Sequence, residues 1–261
     1  MSLSDKDIQR LLSQTFLAQV QHHALLPSTS DHARSLVEAG QVQPPLLIVA
    51  DAQSAGRGRG NHCWWTGQGS LAMTLVLDGT DIGPSQRGRL PLAVALAVID
   101  VAQPLVPDHH IGLKWPNDVV IASRKLAGVL VESLPDGQLF IGLGVNTNNT
   151  LEDAPDALRC EVVTLRDLTG RPQPHGEFLF ALITQLETAM EQLTQDEDDL
   201  TRRWNERCAH HNHRVTLQCI DQSVTGRCCG IAPSGALLLE TGDGVKTFHS
   251  GTLTDLESQP P

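Results

Sequence analysis

Apolar residues in the first half of the chain follow both helical and strand patterns. Ile8, Leu11, Leu12 and Phe16 recur at helical spacing, and PSTSDHARSLVEAG supplies Ser and Asp N-cap candidates, a helix and a stop at Gly40. The runs PPLLIVA and SLAMTLVLD predict two buried strands, which places the loop between them at a sheet edge. RLPLAVALAVIDVAQPL is apolar on every face and predicts a helix buried against that sheet.

The second half of the chain predicts more strands, two helices and then a change of pattern. IGLKWPNDVVIAS, KLAGVLVESL and QLFIGLGVNTN indicate three strands, mostly antiparallel because their connections are too short for a crossover helix. GEFLFALITQLETAMEQLTQ and DDLTRRWNERC indicate amphipathic helices. The remaining sequence alternates apolar and polar residues in short runs that are separated by glycine turns. This pattern is typical of small barrels. We therefore expect a domain over residues 1–211 and a small barrel over 212–261.

Charge and cysteine usage narrow the function class. The 261 residues carry a net charge of -11, which argues against a nucleic-acid partner because such affinity rests on Lys and Arg. The six cysteines show no CxxC spacing, and neither a signal peptide nor an apolar run of about 20 residues is present. The sequence predicts a cytoplasmic protein with no membrane partner.

The stretch AQSAGRGRGNHCWW, from Ala52 to Trp65, is the first candidate site. Its glycines allow the backbone to approach a ligand, and its two arginines offer donors for carboxylate or phosphate. A solvated surface turn fits the loop by itself about equally well, but adjacent tryptophans without a partner would be unusual there. Neither a P-loop nor a dinucleotide fingerprint is present, because GxxxxGK[ST] is missing and no helix opens after the third glycine.

The second candidate site is LKWPNDVVIASRKLAG. Only four lysines occur in the chain, against fifteen arginines, and Lys114 and Lys125 are both in this segment. Lysine is a compact charge that can sit between two anions. The alternative is a surface hairpin with solvated lysines, which the rarity of Lys in this chain disfavours.

These motifs together resemble one family. AGRGRG followed by Trp, then KWPND, RKLAGVLVE and IGLGVN, in that order, are similar to the biotin protein ligases, with an SH3-like C-terminal domain behind. The resemblance runs from about Ser28 to Leu253. It implies an α+β fold, with a mixed β-sheet backed by helices. It also implies a ligase that activates biotin with ATP as biotinyl-5'-AMP and transfers it to a lysine of a biotin carboxyl carrier domain.

The resemblance also implies roles for individual residues. The catalytic candidates are Lys125, Arg59 and Asp118. The biotin-binding candidates are Ser28, Thr29, Ser30, Gln53, Arg57, Gly58, Arg59, Lys125, Gly128 and Gly142. The ATP and adenylate candidates are Gly56, Arg57, Trp64, Lys114, Asn117 and Asn146. ATP and biotin are substrates, Mg²⁺ accompanies the phosphates, and no protein metal centre is expected.

The chemistry explains these residue types. A carboxylate must approach a phosphate, so fixed cations have to offset the repulsion, for which Arg59 and Lys125 are the best-placed candidates, with Asp118 orienting Lys125 or a metal-bound water. The mixed anhydride hydrolyses easily and must be covered, whereas ATP and the acceptor lysine must be admitted. A mobile lid of glycines and arginines, ordered by anionic ligands, meets both demands.

Several residues depart from the family pattern or suggest other chemistry. Ser30 stands where Asn is frequent, and RGNHC is less basic than usual, which predicts weaker adenylate retention. Cys63 is expected to be a small residue without a role in catalysis. The His210, His211 and His213 cluster lacks further ligands at metal spacing and predicts a polar linker. The adjacent Cys228 and Cys229 are expected to divide between core and surface.

Two alternatives and one question stay open at the level of sequence. A lipoate ligase or transferase shares the implied fold, although GRGRG with KWPND favours biotin. A biotin-responsive DNA-binding regulator would carry about 60 further residues ahead of the catalytic domain. Only 27 residues precede Ser28, so we expect no such domain. A homodimer through sheet-edge pairing is compatible with the sequence but is not specified by it.

Overall fold

The computed structural model describes residues 3–60, 62–79, 82–135, 137–195 and 197–255. The last residues of the predicted C-terminal domain, 256–261, lie outside the described residues. Seven strands form a large sheet: β1 Gln19–His23, β2 Leu46–Ala50, β3 Leu71–Leu77, β4 Ile111–Lys114, β5 Asp118–Ile121, β6 Arg124–Ser133 and β7 Leu139–Val145. Their order is β1-β2-β3-β7-β6-β5-β4. The sheet is mixed, since β1 and β2 are parallel and every other pair is antiparallel.

Helices cover both faces of this sheet. Their bounds are α1 Asp5–Gln14, α2 Thr29–Glu38, α3 Pro84–Arg87, α4 Leu90–Ala102, α5 Leu165–Thr169, α6 His175–Gln195 and α7 Glu197–Arg207. In β2, Leu47 and Val49 join the main core while Leu46, Ile48 and Ala50 pack in a second cluster with Ala33 of α2. Burial on both faces explains why this strand is continuously apolar.

The C-terminal strands form a second sheet. It consists of β8 Arg214–Gln218, β9 Ser223–Ile231, β10 Leu237–Thr241, β11 Gly244–Phe248 and β12 Thr252–Asp255, in the order β11-β10-β9-β8-β12. Because β11 and β12 lie at opposite edges, and no pairing joins them in the described part of the chain, the sheet is open. The predicted barrel is therefore a five-stranded antiparallel sheet that does not close.

Three further expectations were incomplete. IGLKWPNDVVIAS holds two strands because a turn at Trp115–Asn117 separates β4 from β5, so residues 111–145 form four strands rather than three. Strand β1 was missed because QVQHH is polar and only partly buried, as suits the edge of a sheet. The loop between β2 and β3 lies at the ends of two interior strands and not along a lateral edge of the sheet.

A single apolar cluster joins the two sheets. Val215, Leu217 and Leu239 of the small sheet belong to the same buried cluster as Leu113 and Trp204 of the large domain. Cys228 is fully buried and Cys229 is half-buried, in line with the expected division of that pair. The Sγ atoms of Cys208, just after α7, and Cys228 are 3.9 Å apart. The two sheets thus share one core.

Trp204 of α7 tests this continuity, because its side chain is 1 % exposed at the centre of the shared core. Trp204→Ala is expected to lower the free energy of unfolding by about 3–5 kcal/mol, since it leaves a large cavity. Urea denaturation followed by circular dichroism measures the change. The exposed Val245→Ala serves as the control and should change the free energy by less than about 0.5 kcal/mol. A loss below 1 kcal/mol for Trp204→Ala would contradict the shared core.

Candidate functional site

A cavity of about 760 Å³ lies between the two sheets, on the face of the large sheet that α2 covers. This volume is in the range of small-molecule sites. The small sheet supplies one wall through Gln218, Cys219, Ile220 and the segment from Ser250 to Leu253. The remaining walls come from α2, from the loop after β2, from strands β3 to β7 with the turn between β4 and β5, and from residues 158–162.

Glycines make the floor of the cavity flat. Lys114, Asp118, Gly128 and Gly144 lie in one register across β4, β5, β6 and β7. A Cβ on Gly144 would overlap the indole of Trp64, and one on Gly128 would lie 2.8 Å from Cε of Lys125. Larger residues here would therefore displace the Trp64 and Lys125 side chains from the floor.

The start of α2 forms a polar corner of the cavity. Ser28 caps the helix, because its Oγ accepts a hydrogen bond from the backbone N–H of Asp31 at 3.3 Å. The backbone N–H of Thr29 donates to Oε1 of Gln53 at 2.7 Å, and Oγ of Ser30 lies 3.1 Å from Oγ1 of Thr74. All three residues from Ser28 to Ser30 are buried. The corner thus offers several positioned polar groups beside one another.

Lys125 lies at the opposite side of the floor, and its position is fixed from several directions. Its Nζ is 2.7 Å from Oδ1 of Asp118 and 5.6 Å from the ring centroid of Trp64. Its backbone N–H donates to the carbonyl of Glu161 at 2.7 Å, and its carbonyl accepts from Nδ2 of Asn146 at 3.1 Å. Asn146 is 1 % exposed, so its amide stabilises the backbone of β6 and does not contact solvent.

The two arginines of the glycine–arginine loop, Gly56 to Gly60, have different partners. Nη2 of Arg57 lies 2.7 Å from Oε1 of Glu132 and its Nη1 lies 2.8 Å from Oδ1 of Asp31. The hydrogen bond with Glu132 is the main reason that the pKa of Arg57 rises above its usual value. Arg59 instead donates from Nη1 to the carbonyl of Gly251 in the small sheet, at 2.8 Å. The loop is thus attached to both parts of the protein.

The KWPND turn also connects the two parts. Trp115 is 3 % exposed and donates from Nε1 to the carbonyl of Gly235 at 3.1 Å, so its indole anchors the small sheet. Asn117 donates from Nδ2 to the carbonyl of Val129 at 2.6 Å and fastens the turn to β6. This turn holds Lys114 and Asp118 at the cavity.

The structure brings the predicted site residues together. All of them line the cavity except Gly56, at which an added Cβ would be 2.6 Å from the carbonyl oxygen of Trp64. Their individual roles stay predictions. Sequence reasoning missed Asp31, Glu132 and the wall that contains Gly251, because ordinary surface-type residues distant in sequence give no local signal. Asp31 follows the STS segment directly, which was the one available hint.

Metal binding and membrane insertion would each require a recognisable arrangement of side chains. Within the described residues no group of three or more His, Cys, Asp or Glu side chains is placed to hold a metal ion. His210 is buried, whereas His211 and His213 are exposed, so the predicted polar linker is only partly exposed to solvent. Over the same residues, no helix has the length and apolar character needed to span a membrane.

Two family models match the chain in the order of its two sheets. Residues 23–148 match the biotin/lipoate A/B protein ligase family, and residues 210–252 match the biotin protein ligase C-terminal domain. A biotin--[acetyl-CoA-carboxylase] ligase from Mycobacterium tuberculosis is 31% identical over 81% of this chain and 79% of its own length. A protein of the same name from Paracoccus denitrificans is 31% identical over 82% of this chain and 92% of its own length.

The fold agrees with a solved structure. A biotin protein ligase from Aquifex aeolicus, in complex with biotin and ATP, superposes with a TM-score of 0.78 at 24% identity, covering 91% of this chain and 97% of the other. At that identity the likeness supports the fold, while the sequence relatives support the family. The chain belongs to the biotin protein ligase family.

Proposed function

We propose that this protein is an ATP-dependent biotin–protein ligase. It activates biotin as biotinyl-5'-AMP and transfers the biotinyl group to a lysine of a biotin carboxyl carrier domain. The observation that carries this proposal is that four sequence motifs, spread over residues 55–146, lie around one cavity of about 760 Å³. A lipoate ligase of the same fold is less well supported, because residues 210–252 match the C-terminal domain of biotin protein ligases.

The polar corner suits the neutral head of biotin. The family resemblance assigns Ser28, Thr29 and Ser30 to the ring, with Gln53 nearby, and hydroxyls and amides there can donate to or accept from a ureido group. The carboxylate of the valeryl chain would then extend over the glycine floor toward Lys125. Gly128 and Gly142 leave that path open, since a Cβ on Gly142 would lie 2.9 Å from Oγ of Ser30.

Adenylate formation requires charge compensation. An oxygen of the biotin carboxylate attacks the α-phosphorus of ATP, the bond to the β-phosphate bridge breaks, and pyrophosphate leaves. Lys125, held by Asp118 and by its fixed backbone, supplies a positive charge where the two anions meet. Trp64 offers the aromatic face for adenine, and Lys114, Asn117, Asn146 and the backbone around Gly56 complete the proposed nucleotide site.

Mg²⁺ fits this site as an ion that arrives with the nucleotide. It prefers hard oxygen donors and usually binds through one or two carboxylates plus substrate phosphates, and Asp118 is such a carboxylate in the cavity. When bound, the ion neutralises phosphate charge and polarises the α-phosphoryl group.

Transfer completes the reaction. The neutral ε-amine of the acceptor lysine attacks the acyl carbon of the adenylate, the bond to the AMP oxygen breaks, and the amine loses a proton as the amide forms. We place this reaction in the cytoplasm, because all six cysteines are unpaired thiols, as is usual in reducing compartments. We further propose no nucleic-acid partner, given the net charge of -11, and retain a homodimer through a sheet edge as a prediction.

The direct test is mass spectrometry of a carrier domain incubated with the protein, ATP, Mg²⁺ and biotin. We expect the carrier to gain the mass of one biotinyl group at a single lysine. Omission of ATP, replacement of biotin by lipoate and replacement of the acceptor lysine by arginine should each abolish the gain. Modification by lipoate but not by biotin would refute the proposal in favour of the lipoate alternative.

Lys125 provides a second test. Lys125→Ala should slow adenylate formation at least ~10²-fold, a loss of about 3 kcal/mol of transition-state stabilisation. Biotin-dependent pyrophosphate release measures this rate. Lys246→Ala is the matched control, because Lys246 pairs with Asp243 on the surface of the small sheet. Near-normal adenylation by Lys125→Ala would remove Lys125 from the mechanism.

Arg59 provides a third test. Its hydrogen bond to the carbonyl of Gly251 attaches the loop to the small sheet, and the loss of a charge-assisted bond of about 1.5–3 kcal/mol should leave the loop open more often. Arg59→Gly, and to a lesser degree Arg57→Gly, should release biotinyl-adenylate into solution and label lysines at random. Biotin incorporated into serum albumin is the measurement. Retention of the adenylate at the wild-type level would contradict the proposed covering role of the loop.

A further inference from the structure

Arg57 is held by two carboxylates that come from different elements and lie outside the cavity lining. Glu132 on β6 binds the guanidinium through both oxygens, at 2.7 and 3.2 Å, and Asp31 in the first turn of α2 binds it at 2.8 Å. Nη2 of Arg34 lies 3.5 Å from Oε1 of Glu132 and balances part of the charge. Two-point binding of a planar guanidinium fixes its orientation as well as its position.

The location of this carboxylate pair separates it from the proposed reaction centre. Gly128, Leu130 and Glu132 share one face of β6, so Glu132 stands roughly 13 Å along the strand from Gly128 and the adjacent Lys125 side chain. Its neighbour across the sheet is Phe140, over which Arg34 packs at 5.4 Å. The arrangement therefore lies beside α2, at the polar corner, and not at Lys125.

The glycine–arginine loop is a hairpin whose backbone hydrogen bonds continue past Arg57, since the N–H of Gly58 donates to the carbonyl of His62 at 2.8 Å. The N–H of Trp64 donates to the carbonyl of Gly56 at 2.9 Å, and Arg57 pairs with Cys63 in an antiparallel bridge. Beyond that bridge, Arg59 is attached through its contact with Gly251 in the small sheet. The Arg57 side chain thus joins the base of this hairpin to the large domain, and the Arg59 side chain joins its tip to the small sheet.

Resting on the proposed ligase function, we propose that Glu132, with Asp31, is a positioning residue for the adenylate-covering loop. It fixes Arg57, so that closure has to order only the tip around Arg59 and Gly60. Closure then orders fewer residues and loses less backbone entropy. This smaller loss stabilises the closed loop that covers the adenylate. Because Asp31 follows the Ser28–Ser30 corner, the same contact ties the loop to the segment proposed to hold biotin.

Limited trypsin digestion tests this role without any reaction. Trypsin must draw the arginine side chain into its own pocket, so cleavage after Arg57 requires release from Glu132 and Asp31, and its rate follows the released fraction. Glu132→Gln keeps the side-chain volume and removes the charge. We expect it to accelerate cleavage after Arg57 at least ~10-fold relative to wild type, as expected from the loss of a charge-assisted bidentate pair.

Two further variants make this experiment specific. Asp31→Asn should have a smaller effect in the same direction, because Asp31 contributes one contact and Glu132 two. Glu240→Gln is the matched control, since it breaks a similar Arg–Glu pair with Arg227, at 2.6 Å on the surface of the small sheet. It should leave cleavage after Arg57 unchanged. Melting temperatures of all variants show whether each is folded, and Asp31→Asn replaces Glu132→Gln if the latter is not.

The lifetime of bound biotinyl-adenylate is the second readout. In a chase experiment with the preformed complex, Glu132→Gln should shorten that lifetime about 10-fold while changing the dissociation constant of biotin by less than about 3-fold. Arg57→Gln should shorten it similarly. The double variant should be no worse than either single one, because both substitutions remove the same interaction.

Each outcome supports or overturns the positioning role of Glu132. Faster cleavage after Arg57, a shorter adenylate lifetime and a non-additive double variant support the positioning role. Unchanged cleavage after Arg57 in the folded Glu132→Gln variant overturns it, and so does faster cleavage with an unchanged adenylate lifetime. If the wild-type protein forms no adenylate, the proposed function fails, while the digestion still reports whether the carboxylates fix Arg57.

Discussion

The apolar seam between the two sheets is the contact on which the rest of the site depends. Side chains of the small sheet enter the same buried cluster as those of the large domain, and Trp115 adds a hydrogen bond to the carbonyl of Gly235. This seam places a wall opposite the glycine floor and so creates an enclosed cavity instead of an open sheet surface. It also brings the Gly251 carbonyl within reach of Arg59.

The positively charged side chains around the cavity differ in the number of carboxylates that bind them, although the protein has a net charge of -11. Arg57 is bound by two carboxylates and Lys125 by one, whereas Arg59 has a neutral carbonyl as its partner and forms no ion pair within the described residues. Replacing a neutral partner by an anionic ligand costs less free energy than replacing a carboxylate partner. Of the two arginines in the loop, Arg59 is therefore the better suited to respond to a phosphate or carboxylate.

The cavity presents three different surfaces in sequence: uncharged polar groups, a glycine floor and a cation. The polar corner at the start of α2 offers hydroxyl and amide groups without a formal charge, the floor has glycine at positions 128, 142 and 144, and the far side carries Lys125. A molecule with a neutral polar head, an aliphatic chain and a terminal carboxylate matches that sequence of surfaces. Biotin has this form, and the adenylate would extend it toward the proposed nucleotide site.

The sequence by itself determined the elements whose signals are local. Continuous apolar runs predicted β2, β3 and α4, the Ser and Asp candidates predicted the start of α2, and the ordered motifs predicted the family and many of the residues that line the cavity. Strand β1 escaped because a polar edge strand has no strong periodicity. The predicted barrel is an open sheet, because closure depends on pairing between the edge strands and not on alternation within each strand. Only the tertiary structure decided which partner each arginine of the loop takes. Glu132 lies 75 residues and Gly251 lies 192 residues along the chain from its arginine, and such contacts leave no trace in spacing or composition.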